Sequence, residues 1–98
     1  MIVVRDVFQL KFGKAKQARQ EWKKGAKFLR EAGVNKPRLM TDLVGQYYTL
    51  VLESTYPSLA AYEKAHLSAG GSKAWAAWYR RFTTLVESGY REIFTVVE

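Results

Sequence analysis

Residues 58–88 read SLAAYEKAHLSAGGSKAWAAWYRRFTTLVES, and this stretch decides the fold. Ser58 follows Pro57 and offers its hydroxyl to an orphan amide of a first helical turn. A helix is expected to run through Tyr62 and His66 until Ala69-Gly70-Gly71 interrupts it. Each glycine costs a helix about 1 kcal/mol against alanine, so the pair marks a break or a kink. Ser72 can cap the resumed helix, on which Trp75, Trp78, Tyr79, Phe82, Leu85 and Val86 form a broad apolar stripe. Gly89 is expected to end it.

Strands flank this broken helix. Upstream, Tyr47 to Glu53 is rich in aromatic and β-branched residues and reads as a strand, entered by a tight turn at Gly45-Gln46. Before that turn, Arg38 to Leu43 makes a short mixed strand behind Pro37. Downstream, Tyr90 to Val97 reads as the last strand. At the start of the chain, Val3 to Phe12 alternates: Phe8, Leu10 and Phe12 point one way, and Arg5, Val7, Gln9 and Lys11 the other. Gly13 stops this strand. Ala15, Ala18, Trp22, Ala26 and Leu29 then recur at helical spacing, and Gly33 suits the left-handed position past the helix end. The order is therefore βαββαβ, and residues 1–98 are read as one α+β domain. Its four-stranded antiparallel sheet carries both helices on one face.

With that order, with the interrupted helix Ser58 to Ser88, and with the segments Thr41-Asp42-Leu43-Val44-Gly45 and Arg91-Glu92-Ile93-Phe94, the chain resembles the dimeric α/β-barrel superfamily of ferredoxin-like domains. Within it, the chain looks most like the NIPSNAP-type proteins and the antibiotic-biosynthesis-monooxygenase-like group. The resemblance implies a homodimer whose two sheets stack into a barrel. It also implies a function drawn from cofactor-free oxygenases, haem-degrading enzymes, isomerases, decarboxylases or proteins without known activity. None of the matching segments is a catalytic signature.

The strands support a dimer independently. Phe8, Leu10 and Phe12 of the first strand oppose Val3 and Val7. Tyr48, Leu50 and Leu52 of the third oppose Tyr47 and Val51, and Phe94 and Val96 of the fourth oppose Ile93 and Val97. Helices can cover only one of these faces, and the other would leave an apolar patch larger than monomers tolerate. A two-fold pair closes it.

Composition narrows the classes further. The chain of 98 residues is 48% hydrophobic, carries a net charge of +7 and has no cysteine. Disulfides, thiolate metal sites and cysteine nucleophiles are excluded, and a reducing cytoplasm is the expected compartment. No apolar run reaches the roughly 20 residues of a membrane span. The opening Met1-Ile2-Val3-Val4-Arg5-Asp6 reads as a strand rather than a signal peptide. Lys14, Lys16, Arg19, Lys23, Lys24, Lys27 and Arg30 place most of the positive charge on one helix, as a solvated face.

His66 is the sole histidine and the best candidate for proton transfer or ligand contact, because it sits just before the glycine break. The competing reading is a helix-end histidine satisfied by water. Trp75 and Trp78 are expected to wall a pocket for a small hydrophobic or aromatic molecule, or else to pack as core. Tyr48 is a further candidate ligand contact. Asp42, Glu53 and Arg91 are expected as polar or orienting groups, with Asp42 and Glu53 either approaching each other or paired with bases such as Arg38 and Arg91. One histidine without cysteine argues against a metal site, and no cofactor is expected. Haem-degrading relatives combine an asparagine, a tryptophan and a ligating histidine. Here Asn35 lies in the loop before Pro37 and the tryptophans of the second half lie on the helix, which disfavours that activity.

The expected function is thus small-molecule binding, or cofactor-free oxygenase or isomerase chemistry. A non-catalytic interaction module is the alternative. RNA binding is disfavoured. Gly45-Gln46-Tyr47-Tyr48-Thr49-Leu50-Val51 only echoes the third-strand signature of RNA-recognition motifs, and the charge lies on the helix rather than on the sheet.

Overall fold

The alternating segment at the start of the chain becomes the central strand of the sheet. In the computed structural model, which describes residues 1–34 and 36–98, the elements are β1 (Ile2–Leu10), α1 (Ala15–Glu31), β2 (Arg38–Thr41), β3 (Thr49–Tyr56), α2 (Leu59–Gly70), α3 (Lys73–Thr83) and β4 (Val86–Thr95). The sheet order is β2-β3-β1-β4, with every neighbouring pair antiparallel. This is the ferredoxin-like arrangement the element order implies, and the three helices pack over one face. No helix among the described residues is long and apolar enough to cross a membrane. The expectation on Asn35 lies outside the described residues.

Even-numbered residues of β1 face the helices. Leu10, Leu50 and Leu52 join Ala18 and Trp22 of α1 and Trp78 and Phe82 of α3 in the main core. A second cluster of Val4, Val34, Tyr56 and Ala65 sits under α2. The helix ends follow local chemistry. Ser58 Oγ accepts from the Ala61 amide at 3.1 Å and Ser72 Oγ from the Trp75 amide at 3.2 Å, so each helix half has its own cap. The glycine pair produces two separate helices rather than a kinked one. After α1, Gly33 adopts φ +93°, and the Val34 amide donates to the Leu29 carbonyl at 2.9 Å while Gly33 donates to Arg30 at 3.1 Å. That six-to-one, five-to-two pair of bonds is a Schellman cap, and it delivers Val34 into the second core.

Several boundaries differ from those read in the sequence, and β1 causes most of the differences. A central strand must pair its backbone groups on both sides. Its ladder with β4 runs from Ile2↔Thr95 to Leu10↔Val86, so Val86 starts a strand instead of extending the helix. Thr83 and Thr84 help end α3, turning their hydroxyls back to the Arg80 and Arg81 carbonyls at 3.0 and 2.7 Å. Gly89, expected to end the helix, lies inside β4 opposite Phe8, where a Cβ would sit 2.9 Å from the Val7 carbonyl oxygen. The ladder with β3 runs from Ile2↔Tyr56 to Gln9↔Thr49 and moves that strand downstream. Tyr47 and Tyr48 fall in the preceding loop, Tyr48 at φ +59°. The turn expected at Gly45-Gln46 is replaced by a wider loop. It is closed by the Thr49 amide donating to Asp42 Oδ1 at 3.0 Å and by the Asp42 amide donating to the Thr49 carbonyl at 3.2 Å. Phe12 lies past the end of β1 and is exposed.

The face away from the helices is mixed. Val3, Val7, Val51, Tyr90 and Phe94 lie on it by register. Among them Arg5 pairs with Glu53 at 3.6 Å and with Glu92 at 3.9 Å, and Arg38 pairs with Glu53 at 3.7 Å. In β4 the two faces are the reverse of the sequence expectation: Ile93 pairs with Val4 on the helix side, and Phe94 pairs with Val3 on the open side.

One glycine sets the distance between α1 and α3. A Cβ on Gly25 would lie 2.4 Å from Trp78 Cζ2. The indole cannot retreat, because its Nε1 donates to the Glu21 carbonyl at 2.8 Å and its ring stacks on Phe82 at 5.6 Å and 1°. Overpacking of this kind costs about 1–3 kcal/mol. Alanine's helix propensity returns up to about 1 kcal/mol. Gly25→Ala is therefore expected to lower the melting temperature by several degrees. A melting temperature that is unchanged or raised, followed by circular dichroism, contradicts this packing.

Candidate functional site

Asp6 occupies the apolar phase of β1, between Val4 and Phe8, where a carboxylate needs a partner. The antiparallel register places Arg91 of β4 directly opposite, and Arg91 Nε donates to Asp6 Oδ1. Tyr62 of α2 lies over the guanidinium, 5.8 Å from it to the ring centroid. Four residues on, His66 shares that helix face, its ring 5.6 Å from Tyr62, and Tyr56 of β3 meets Tyr62 edge-on at 5.2 Å. Across from these, Trp75 and Tyr79 of α3 stack at 5.7 Å and 16°.

These side chains line a cavity of about 180 Å³ between the sheet and the helices, open to solvent beside the exposed His66, Tyr79 and Arg91. Its apolar wall comes from Val4, Phe8, Leu52, Leu29, Trp22 and Trp75, and its polar groups are Asp6, Arg91, Ser54, Tyr56, Tyr62 and His66. The shape follows from the chain break at 70–72, which lets α2 cover the Val4–Tyr56 end of the sheet and α3 the Phe8–Leu10 end. Trp22 Nε1, in a lining residue but turned away from the open space, is buried with no hydrogen-bond partner among the described residues, and the buried Tyr62 hydroxyl has only the Arg91 guanidinium beside it. Such atoms are rare in folded proteins, and each calls for an explanation.

The structure distributes the residues singled out in the sequence over three places. His66, Trp75 and Arg91 line the cavity. Trp78 lies beneath it, fully buried against Trp22 at 4.7 Å, and is part of the core. Asp42 and Tyr48 border a separate groove with Phe12, Arg19 and Tyr47 at the β2–β3 loop. Glu53 is on the opposite face of the sheet, in the ion pairs with Arg5 and Arg38. Asp42 accepts from the Thr49 amide at one end of β3, while Glu53 lies four residues on and pairs with Arg5 and Arg38, so the two carboxylates do not meet. Asp6, Tyr56, Tyr62 and Trp22 were not among the sequence candidates. The phase of Asp6 within the strand, and the four-residue spacing from Tyr62 to His66, were the available signals. Among the described residues no three His, Asp or Glu side chains group as metal ligands.

A family model for NIPSNAP matches residues 5–98. The chain belongs to the NIPSNAP family. No curated protein matches it. Among solved structures, an uncharacterised NIPSNAP domain protein from Burkholderia xenovorans is similar at TM-score 0.87 and 15% identity, over 99% of this chain and 95% of that one. A NIPSNAP family protein from Agrobacterium tumefaciens is similar at TM-score 0.89 and 18% identity, over 96% and 90%. The cofactor-independent oxygenase SnoaB from Streptomyces nogalater is similar at TM-score 0.77 and 11% identity, over 99% and 93%. At such identities the likeness is one of fold, shared by NIPSNAP proteins and monooxygenase-like proteins.

Burial pushes the phenols of Tyr56 and Tyr62 above their ordinary range, with a smaller opposing pull from Ser54 on the first and from the Arg91 cation on the second. For Arg91, burial works against the charge, but the bond to Asp6 and its negative field outweigh it and the guanidinium is held more firmly protonated. A folded-state affinity for protons above the unfolded one gives stability that is complete below the ordinary tyrosine range, near about pH 10, and lost as pH rises through the raised values. In an alkaline titration followed by phenolate absorbance, Tyr56 and Tyr62 are expected to give a late component above the ordinary tyrosine range. Tyr56→Phe and Tyr62→Phe should each remove part of the late component. A titration with no late component contradicts the burial described.

Proposed function

We propose that this NIPSNAP protein binds a small hydrophobic or aromatic molecule in the cavity under α2 and α3. On this reading, the bound molecule is a substrate for cofactor-free proton-transfer chemistry of the isomerase or oxygenase type. The observation that carries the reading is the convergence, around one largely apolar pocket that opens to solvent, of His66 and the Asp6–Arg91 pair. An apolar pocket with a few converging polar groups is the usual form of a small-molecule site. His66 is assigned to proton transfer or direct ligand contact, Trp75 to a wall, and Arg91 to orientation, with Asp6 fixing the guanidinium. Trp78 supports Trp22 and Trp75 from behind. The fold shared with a cofactor-independent oxygenase is compatible with this assignment. RNA binding is disfavoured, since the lysines and arginines of α1 lie on the helix side, behind the open sheet face.

The open face supports a homodimer as the working form. Val3, Val7, Val51 and Phe94 would be covered by the same face of a second copy, with the Arg5–Glu53–Glu92 charges already paired within each sheet. Stacking two such faces buries on the order of 1,500 Å², the size of an ordinary stable interface.

Two measurements test these assignments. In a thermal-shift screen of small phenols, quinones and fatty acids, at least one ring compound at about 100 times its Kd should add about 2.7 kcal/mol of stability, and Trp75→Ala should abolish the shift. No shift with any of them, or an equal shift in the variant, removes the site. Light scattering at micromolar concentration should give twice the 11.3 kDa chain mass, and a particle of one chain mass removes the dimer.

A further inference from the structure

Two loops leave the same end of the sheet. The register sets Thr49 against Gln9 and Leu50 against Thr41, so the β1–α1 turn and the β2–β3 loop emerge side by side. There Phe12 packs against Tyr48 at 5.0 Å and Tyr47 at 6.4 Å. Four apolar or aromatic side chains stand out into solvent: Leu43 is 96% exposed, Val44 95%, Phe12 73% and Tyr47 72%. Single exposed apolar residues are ordinary, but a contiguous group marks a contact surface. The loop backbone is pinned rather than slack. The Asp42–Thr49 bonds close its base, Thr49 Oγ1 donates to the Gln46 carbonyl at 2.9 Å, and Gln9 Nε2 donates to the Tyr47 carbonyl. The tip is thereby held away from the core.

Positive charge flanks this tip. Lys11 and Lys14 stand on either side of Phe12 in the β1–α1 turn, Lys16 follows in the first turn of α1, and Arg19 lines the groove that holds Phe12 and Tyr47. None of the four makes an ion pair among the described residues. Of the carboxylates at this end, Asp42 is engaged by the Thr49 amide and Glu87 stands on the far edge strand. The groove shares no residue with the cavity under α2 and α3.

We infer that this end of the chain docks on an anionic lipid surface. Leu43 and Val44 enter the boundary between head groups and acyl chains, Phe12 and Tyr47 lie at head-group level, and the four basic side chains meet the lipid phosphates. Such contact is peripheral and needs no spanning helix. Charge complementarity favours this occupant, because a second copy placed symmetrically on the same end would set like charges together. Single-stranded nucleic acid would stack on Phe12 and Tyr47, yet leave the two most exposed residues, both aliphatic, in water.

The test is cosedimentation of the full chain with vesicles of phosphatidylcholine, alone or with about a third of phosphatidylserine. Binding to the anionic vesicles is expected to be at least about tenfold tighter than to the neutral ones, since each basic residue near such a surface contributes about fivefold. It should weaken at about 0.5 M salt. Leu43→Ser combined with Val44→Ser should keep the melting temperature, both side chains being in solvent, and should bind at least about tenfold more weakly. Lys11→Gln with Lys16→Gln should weaken binding about tenfold. Lys27→Gln with Arg30→Gln removes the same charge more than a Debye length along α1, and should weaken it by no more than about threefold. Equal binding to neutral and anionic vesicles, no binding to either, or anionic binding that the serine pair leaves unchanged overturns the inference. Equal losses from the two charge pairs show basicity without a docking surface, and overturn it too. If the serine pair halves the particle mass in light scattering, the tip belongs to a contact between copies. If oligouridylate displaces the chain from vesicles, and Tyr47→Ala but not the serine pair abolishes its binding, the tip serves nucleic acid. Either result overturns the lipid assignment, and none of these outcomes bears on the cavity.

Discussion

Everything in this molecule is arranged around the two-sided pairing of β1. That strand has a neighbour on each side, and its period of two sorts Val4, Asp6, Phe8 and Leu10 toward the helices and Val3, Arg5, Val7 and Gln9 away from them. A slip of one residue would turn Asp6 outward and bring Arg5 into the apolar core, exchanging every contact at once. The register thus controls the core, the cavity and the open face together. Long-range pairing rather than local propensity does this, since β3 and β4 reach β1 from far along the chain.

Over this sheet the helices are held by an aromatic cluster with little freedom. Trp22 meets Trp78 at 4.7 Å and 69° and Phe82 at 5.3 Å and 70°, while Phe8 meets Phe82 edge-on at 5.0 Å. Edge-to-face contacts of this kind add to the burial of large apolar area. The close approach at Gly25 presses α1 onto α3, and the separate caps at Ser58 and Ser72 let α2 take its own direction. The cavity is the space left between the main core and the second cluster.

Much of this was readable from residue order, and the division between what was and was not is physical. Caps, the Gly33 turn and the break at Gly70-Gly71 depend on a few adjacent residues, and they stand where their chemistry puts them. The βαββαβ order followed from alternation and helical spacing. The ends of β3 and β4 did not, because β1 decides where they stop: Val86 reads as helix until a ladder claims it, and Tyr47-Tyr48 read as strand until Asp42 and Thr49 close the loop below them. At the cavity, His66, Trp75 and Arg91 were visible as residue types near a break. Trp75 and Trp78 share a helical stripe, and only tertiary packing puts one on the wall and the other in the core. Asp6 was hidden because the residue that accounts for it lies 85 positions away.

The position of Arg91 has one more effect. It stands on an edge strand whose successive residues look in opposite directions: Arg91 toward the cavity, Tyr90 and Glu92 toward the uncovered side. Anything that grips the guanidinium from within also restrains the strand that any neighbour on the outer side must meet. If gripping it changes how the outer face meets a neighbour, the two events must alter each other's strength by the same factor. Any such heterotropic linkage would have only the thickness of a single sheet to cross.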